Sequence, residues 1–260
     1  MECTRKAGDS VSASLEKALI TVVLFVATVL VFFATGALTK THVSPAWLLT
    51  RWDPYIPLVP IAVWPYFSWY VSPLPLLAAS RRDFRRIACA VVLAFAVSIL
   101  GFIVFPAFIQ RPVITGETLS ERALLLLYKY DPPWNIFPSF HAALCAILWR
   151  PAFGGRLARM LMPVWMSTIC VACLLTRQHH LLDIVAGLLL GFFTLAAVTA
   201  IFNHLGKAKR IGPRPEEAKS SLPVAGTGET EAAHAASVVC FQPDGAGAAP
   251  SAVRRSDPDE

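Results

Sequence analysis

Two short groups of polar residues stand out in this 260-residue chain. The first is Asp131-Pro132-Pro133-Trp134-Asn135-Ile136-Phe137-Pro138-Ser139-Phe140-His141. Pro138 and Ser139 read as a helix start, because Pro suits the first turn and a Ser side chain accepts from the free amides there. Such an end turns unpaired N–H groups and the positive pole of the helix dipole toward a phosphate, and His141 falls in that first turn. The second group is Arg177-Gln178-His179-His180-Leu181-Leu182-Asp183. His179 and Asp183 are four apart and share a helix face, so the carboxylate can hold one imidazole nitrogen and fix the tautomer. His180, three residues from Asp183, competes for the same carboxylate. Together these are the parts of a phosphoryl transfer that needs no metal. One imidazole attacks phosphorus, and the other protonates the departing oxygen and later activates water. Arginine spreads the charge of the equatorial oxygens; Arg111 and Arg177 are the candidates for that task. Asp131, Asn135 and His180 are candidate pocket residues.

The elements that must position these residues are apolar. Hydrophobic residues make up 55% of the chain and charged residues 15%, against about 25% charged in a soluble domain, which argues against a soluble enzyme. Residues 1–205 hold 16 Lys and Arg against 9 Asp and Glu, a net of +7, while residues 206–260 carry a net of −1. A nucleic-acid binder gathers its basic residues on one solvated face. Here they punctuate long uncharged runs, so the partner is a bilayer surface and no nucleic acid is expected. A spanning helix takes about 20 mainly apolar residues, and six candidates recur, over residues 18–39, 54–80, 87–110, 137–149, 160–176 and 181–203. The second contains Pro57, Pro60, Pro65, Pro73 and Pro75, which predicts irregular or kinked ends.

Short-loop Lys and Arg set orientation. The densest basic loop, Ser80-Arg81-Arg82-Asp83-Phe84-Arg85-Arg86, is assigned to the cytoplasm. Counting spans outward from it puts Arg5, Lys6 and Lys17, the loop with Arg150, Arg156 and Arg159, and Lys207, Lys209 and Arg210 on that side too. The loops at 47–53, 106–138 and 177–180 fall on the opposite face, which therefore receives both polar groups. The first apolar run reads as a retained span rather than a cleaved signal peptide, from its length and the lack of a small-x-small site. Residues 206–260, rich in Ala, Gly, Ser, Pro and Glu, read as a disordered cytoplasmic tail. The six cysteines form no disulfide framework, and Cys170-x-x-Cys173 in an apolar helix reads as packing. Trp64, Tyr66, Phe67, Trp69 and Tyr70 read as lipid-facing or packing aromatics, Trp47 and Trp52 as an interfacial belt, and Lys129, Arg122 and Glu117 as solvated loop charge.

Pro138-Ser139-Phe140-His141 followed by His179-x-x-x-Asp183 resembles the second and third signature motifs of the type 2 phosphatidic-acid-phosphatase superfamily, six-helix membrane enzymes acting on lipid phosphates. The stretch Asp53-Pro54-Tyr55-Ile56-Pro57-Leu58-Val59-Pro60 is similar to the branch that contains inositol-phosphotransferase-like enzymes. The resemblance covers the membrane part and not the tail. It implies His179 as the nucleophile that becomes phosphorylated, His141 as the general acid, Asp183 as the group orienting His179, and Ser139 as a phosphate contact. Two positions depart from the pattern. Where the common first motif has a Lys seven residues before Arg111-Pro112, this chain has Val104, and where the third has an Arg six residues before its His, it has Cys173. The headgroup-transferase branch lacks that third-motif Arg as well.

The sequence thus predicts an all-α integral membrane protein: residues 1–17 as a cytoplasmic N-terminus, 18–205 as a six-span catalytic bundle, and 206–260 as a disordered tail, in a cell membrane of the bacterial inner-membrane kind. The expected activity is hydrolysis of a lipid phosphate monoester or diphosphate at the extracytoplasmic face, with no metal and no cofactor. The alternatives are transfer of a lipid headgroup phosphate to another lipid alcohol, lipid or solute transport, and scaffolding through the tail. The lipid and the oligomeric state are not specified by the sequence. Vanadate, which mimics pentacoordinate phosphorus, is expected to inhibit turnover and chelators to leave it unchanged; a requirement for a divalent ion in phosphate-release assays would count against the metal-free chemistry.

Overall fold

The structure, a computed structural model, describes residues 2–149 and 155–211. Arg150 of the proposed basic loop and tail residues 212–260 lie outside the described residues. Among the described residues the protein is all-helical, with one isolated bridge between Phe108 and Trp134 and no strand. The helices are α1 (Glu2–Leu38), α2 (Val63–Phe67), α3 (Arg81–Val104), α4 (Leu119–Tyr130), α5 (Phe140–Leu148), α6 (Arg156–Leu175) and α7 (Leu181–Ile211). Four of them contain stretches long and apolar enough to cross a membrane: Ser12–Leu38, Arg81–Val104, Arg156–Leu175 and Leu181–Lys207. Their outer faces are apolar; Leu15, Leu19, Val22, Leu30 and Phe33 of α1 are exposed, as are Leu100 and Ile103 of α3. Water would penalise a continuous apolar surface of this extent, whereas lipid tails would not.

Local sequence accounts for the boundaries. Ser80 caps α3 by accepting the Asp83 amide, and Asp83 places a negative charge at the positive pole of the helix. The second candidate span is not a regular helix. Residues 60–78 form α2 and a series of tight 3-10 turns, because each proline removes an amide donor and crowds the preceding turn. This broken stretch still runs through the bundle. Val59 donates to the Leu175 carbonyl at the C-terminal end of α6 (2.9 Å), while Lys17, near the start of the α1 apolar run, donates to the carbonyls of Leu77 and Ala79.

Two further expectations change. The stretch 106–138 is not all loop: α4 is set by a capping box, in which Thr118 accepts the Glu121 amide and Glu121 accepts the Thr118 amide. Arg122 and Lys129 are exposed as expected, but on this helix rather than on a loop. The sixth apolar helix continues past residue 205 to Ile211.

The chain segregates its charges. Glu16 pairs with Arg81 (3.2 Å) and Arg85 (3.3 Å), and Arg82 donates to Asn203 (3.3 Å), so the start of the α1 apolar run, the start of α3 and the end of α7 meet at one end. The two polar groups carrying His141 and His179 meet at the other. They are brought together by the contact of α5 with α7. A Cβ on Gly187 would lie 2.2 Å from the Ser139 carbonyl oxygen, and one on Gly191 would lie 2.2 Å from that of Ala143. Only hydrogen at these positions lets the backbones approach this closely, the small-xxx-small device of membrane helix pairs. Gly187→Ala is expected to push α5 off α7 and cost about 1–3 kcal/mol, typical of overpacking, read as a lower unfolding temperature in detergent. Leu189→Ala, which trims an exposed side chain of the same helix, should leave that temperature near the wild-type value.

Candidate active site

Beside the start of α5 and the α6–α7 turn a cavity of about 260 Å³ opens toward α1, α3 and α4, walled by Trp69, Asp131, Phe140, His141, Gln178 and His179 among largely apolar neighbours. His141 sits in the first turn of α5, which Ser139 caps by accepting the Ala142 amide at 3.2 Å. The Ser139 amide in turn donates to the Asp183 carbonyl at 3.1 Å, which bonds the start of α5 to the first turn of α7. The turn from α6 to α7 closes on one acceptor. The amides of Gln178 and His179 both donate to the Cys173 carbonyl, and Arg177 takes the left-handed φ of 52° that this closure needs. His179 is thereby held over His141.

The two imidazoles face each other, with His179 Nε2 standing 3.3 Å from His141 Nδ1. Behind His179, Nδ1 lies 3.5 Å from Asp183 Oδ2, an ion-pair approach rather than a full hydrogen bond. Asp183 is fully buried, and its Oδ2 accepts the His180 amide at 2.7 Å. The competition between the neighbouring histidines is therefore resolved by direction. His180 turns its Nδ1 to Asp53, at 3.5 Å, and leaves Asp183 to His179.

Asp53 is a structural anchor of the site. Buried, it accepts the amide and hydroxyl of Thr50 (2.7 and 2.6 Å) and the Leu181 amide (2.9 Å), tying the early Asp53-Pro54 turn to the N-terminus of α7. Burial pushes its carboxyl up, but the Thr50 hydroxyl and the two amides more than offset this and hold it below the ordinary carboxylate range.

Neither predicted phosphate-binding arginine meets the histidines. Arg177 donates to the carbonyls of Asp53 (3.1 Å) and Ile56, fastening the same turn. Arg111 stacks over Tyr128 and donates to the carbonyls of Asp131 (2.6 Å) and Tyr128 (3.1 Å) and to Gln178 Oε1. Both arginines serve backbone acceptors at helix ends and in non-helical segments, and no Lys or Arg is among the described residues that line the cavity. Ser139 spends its hydroxyl on the α5 cap. Asn135 does line the cavity, yet its amide group accepts from Thr39 (2.7 Å) and donates to the Phe32 carbonyl (2.9 Å), clamping α1. Asp131 is at the cavity as expected. Burial pushes its carboxyl above the usual range, with Tyr66 and Arg111 pulling it back only in part. Cys145, Cys170 and Cys173 are buried free thiols.

Sequence reasoning missed three contributors. Tyr66, read as a lipid-facing or packing aromatic, is wholly buried with its hydroxyl 3.0 Å from His141 Nε2 and 2.8 Å from Asp131 Oδ2. Trp69, read in the same way, is buried with its ring centroid 4.4 Å from that of His141. Trp64 and Tyr70 are exposed, and Tyr70 also lines the cavity. Gln178 lines the cavity, and its Nε2 has no partner among the described residues. Helical periodicity gives no face to a stretch broken by prolines, so the only usable signal for Tyr66 was that a tyrosine hydroxyl in an apolar run needs a partner.

No protein-family model, curated protein or solved structure matches this chain. Asp53→Asn is expected to lower stability by about 1.5–3 kcal/mol, the worth of hydrogen bonds to a charged group. Because the folded carboxyl titrates below its unfolded value of 3.8, its stabilisation is present above that pH and is lost as pH falls further. Unfolding temperatures measured on the acid side should therefore fall in the wild type, with that component missing in Asp53→Asn.

Proposed function

We propose that this protein is a multi-pass membrane enzyme that transfers a phosphoryl group from a lipid phosphate, hydrolysing it through a phospho-His179 intermediate. The observation that carries this reading is the facing pair, His179 Nε2 to His141 Nδ1 at 3.3 Å, with Asp183 behind His179 and an apolar cavity beside both. With Nδ1–H turned to Asp183, His179 keeps a lone pair on Nε2. That lone pair attacks phosphorus, the P–O bond to the lipid breaks, and the departing oxygen takes a proton from His141. In the second half His141 accepts a proton from water, the resulting hydroxide attacks phosphorus, and the P–N electron pair returns to His179. The unshared amides at the start of α5 and the Gln178 side chain are the donors nearest a bound phosphate.

The membrane arrangement belongs to the same proposal. In this reading the four long apolar helices cross the membrane, and the proline-broken 54–80 stretch and the nine-residue α5, about 14 Å long, fill the other two places of a six-segment bundle. The end with Glu16, Lys17 and Arg81 to Arg86 is cytoplasmic, and the histidine end is extracytoplasmic, in a cell membrane of the bacterial inner-membrane kind. The C-terminal end of α7 is on the cytoplasmic side, and with it the tail that follows Ile211.

One observation favours a second reading. Two acidic side chains, Asp131 and Asp183, lie next to the histidine pair, while no Lys or Arg is among the described residues that line the cavity. A phosphodiester with a single negative charge suits such a site better than a doubly charged monoester. That chemistry is headgroup transfer to a lipid alcohol, and a labelled donor separates the two outcomes by the appearance of label in a new lipid or in free phosphate. His179→Ala is expected to abolish both turnover and the trapping of labelled phosphate on the protein, with the folded state retained; wild-type rates in that variant would count decisively against the phosphohistidine route.

A further inference from the structure

Behind the facing histidines the structure holds a second pair of groups that the reaction above does not use. Asp131 Oδ2, Tyr66 Oη, His141 and His179 follow one another at 2.8, 3.0 and 3.3 Å, and Asp183 closes the row 3.5 Å beyond His179. Tyr66 is wholly buried, so its hydroxyl has only these neighbours to satisfy it. Five groups in a row leave four gaps, and one proton in each aligns a donor on an acceptor, the last across the longer 3.5 Å approach of His179 to Asp183. With both carboxylates ionised and Tyr66 and the two imidazoles neutral, only three protons are present.

We propose that Tyr66 and Asp131 position and recharge the general acid, with Asp131 holding the fourth proton and Tyr66 passing it to His141. This rests on the phosphoryl-transfer reading of the two histidines. With Asp131 protonated, every donor points the same way: Asp131 to Tyr66, Tyr66 to His141 Nε2, His141 Nδ1 to His179 Nε2, and His179 Nδ1 to Asp183. The carboxyl of Asp131 is the natural holder, since its enclosure disfavours the charged form. Arg111 lies beside it but bonds its backbone carbonyl.

The proton movements balance. As the P–O bond breaks, its electron pair goes to the leaving oxygen, which takes the Nδ1 proton of His141. Nε2 of the same ring then receives the Tyr66 proton, and Tyr66 receives that of Asp131. The imidazole ends neutral in its other tautomer, and Asp131 ends ionised. During hydrolysis Nδ1 takes a proton from water, and the reverse shift returns one proton to Asp131. An imidazole isolated in an apolar wall would have to pass through an uncompensated charged or stripped form at each step, which burial disfavours.

The proposal predicts a leaving-group signature. Dodecyl phosphate expels a poor alkoxide and needs the acid, whereas 4-nitrophenyl phosphate expels a stable phenolate and barely does. In detergent micelles, Tyr66→Phe and Asp131→Asn are each expected to lower the ratio of the dodecyl to the 4-nitrophenyl rate by about 10- to 100-fold, less than the roughly 100- to 10,000-fold a general acid contributes in full, because both residues act through His141. Equal losses on both substrates in both variants, at wild-type unfolding temperature, would mean that the pair only packs against His141 and would overturn the proposal. An unchanged ratio in whichever variant folds would do the same. A wild-type protein that releases phosphate from neither substrate would overturn the phosphoryl-transfer reading itself.

Discussion

The site depends on one close approach, that of the carbonyl edge of α5 to the glycine face of α7. Gly187 and Gly191 sit where any Cβ would collide with the Ser139 and Ala143 carbonyl oxygens. In lipid, helices gain no hydrophobic free energy by meeting each other, so association must come from packing and interhelical polar contacts. The α5–α7 contact supplies both, with small residues along its length and the Ser139 amide bonded to the Asp183 carbonyl at its end. His141 and His179, 38 residues apart in sequence, stand 3.3 Å apart because that contact fixes the ends of two helices against each other.

Around this contact, polar groups hold polar backbone. The chain at the site end is non-helical at 105–118, 131–139 and 176–180, and its carbonyls need donors where water is scarce. Arg111 and Arg177 supply them, and Asp53 supplies the matching acceptor for the Thr50 and Leu181 amides. The arginines of the histidine end thus stabilise the frame of the site, while the cavity wall is left with imidazole, carboxyl, phenol and amide.

Much of this was legible in particular residues. Ser139 announced the α5 start and is its cap. His179 and Asp183, four apart at the head of an apolar run, are paired in space. Lys17, Arg81 and Arg85, spaced by whole apolar runs, gather at one end. The capping box at Thr118 and Glu121 and the Gly187-Leu188-Leu189-Leu190-Gly191 stretch were equally local signals, and reading them would have placed α4 and the α5–α7 contact. Tyr66 was not legible in this way, because prolines at 60, 65, 73 and 75 break the periodicity that would have assigned it a face.

The sequence by itself determined a helical, strongly apolar chain, and that its scarce polar residues concentrate in two segments; of the six apolar runs it offers, four are helices long and apolar enough for a bilayer among the described residues. These follow from composition and from contacts no more than four residues apart, which a linear reading can see. Only the tertiary structure decided that His180 serves Asp53 while His179 serves Asp183, that both arginines hold carbonyls, and that Tyr66 joins Asp131 to His141. Each of those outcomes is a competition among polar groups for a few buried partners. The winner is set by direction and distance across helices, and neither exists until the helices have packed.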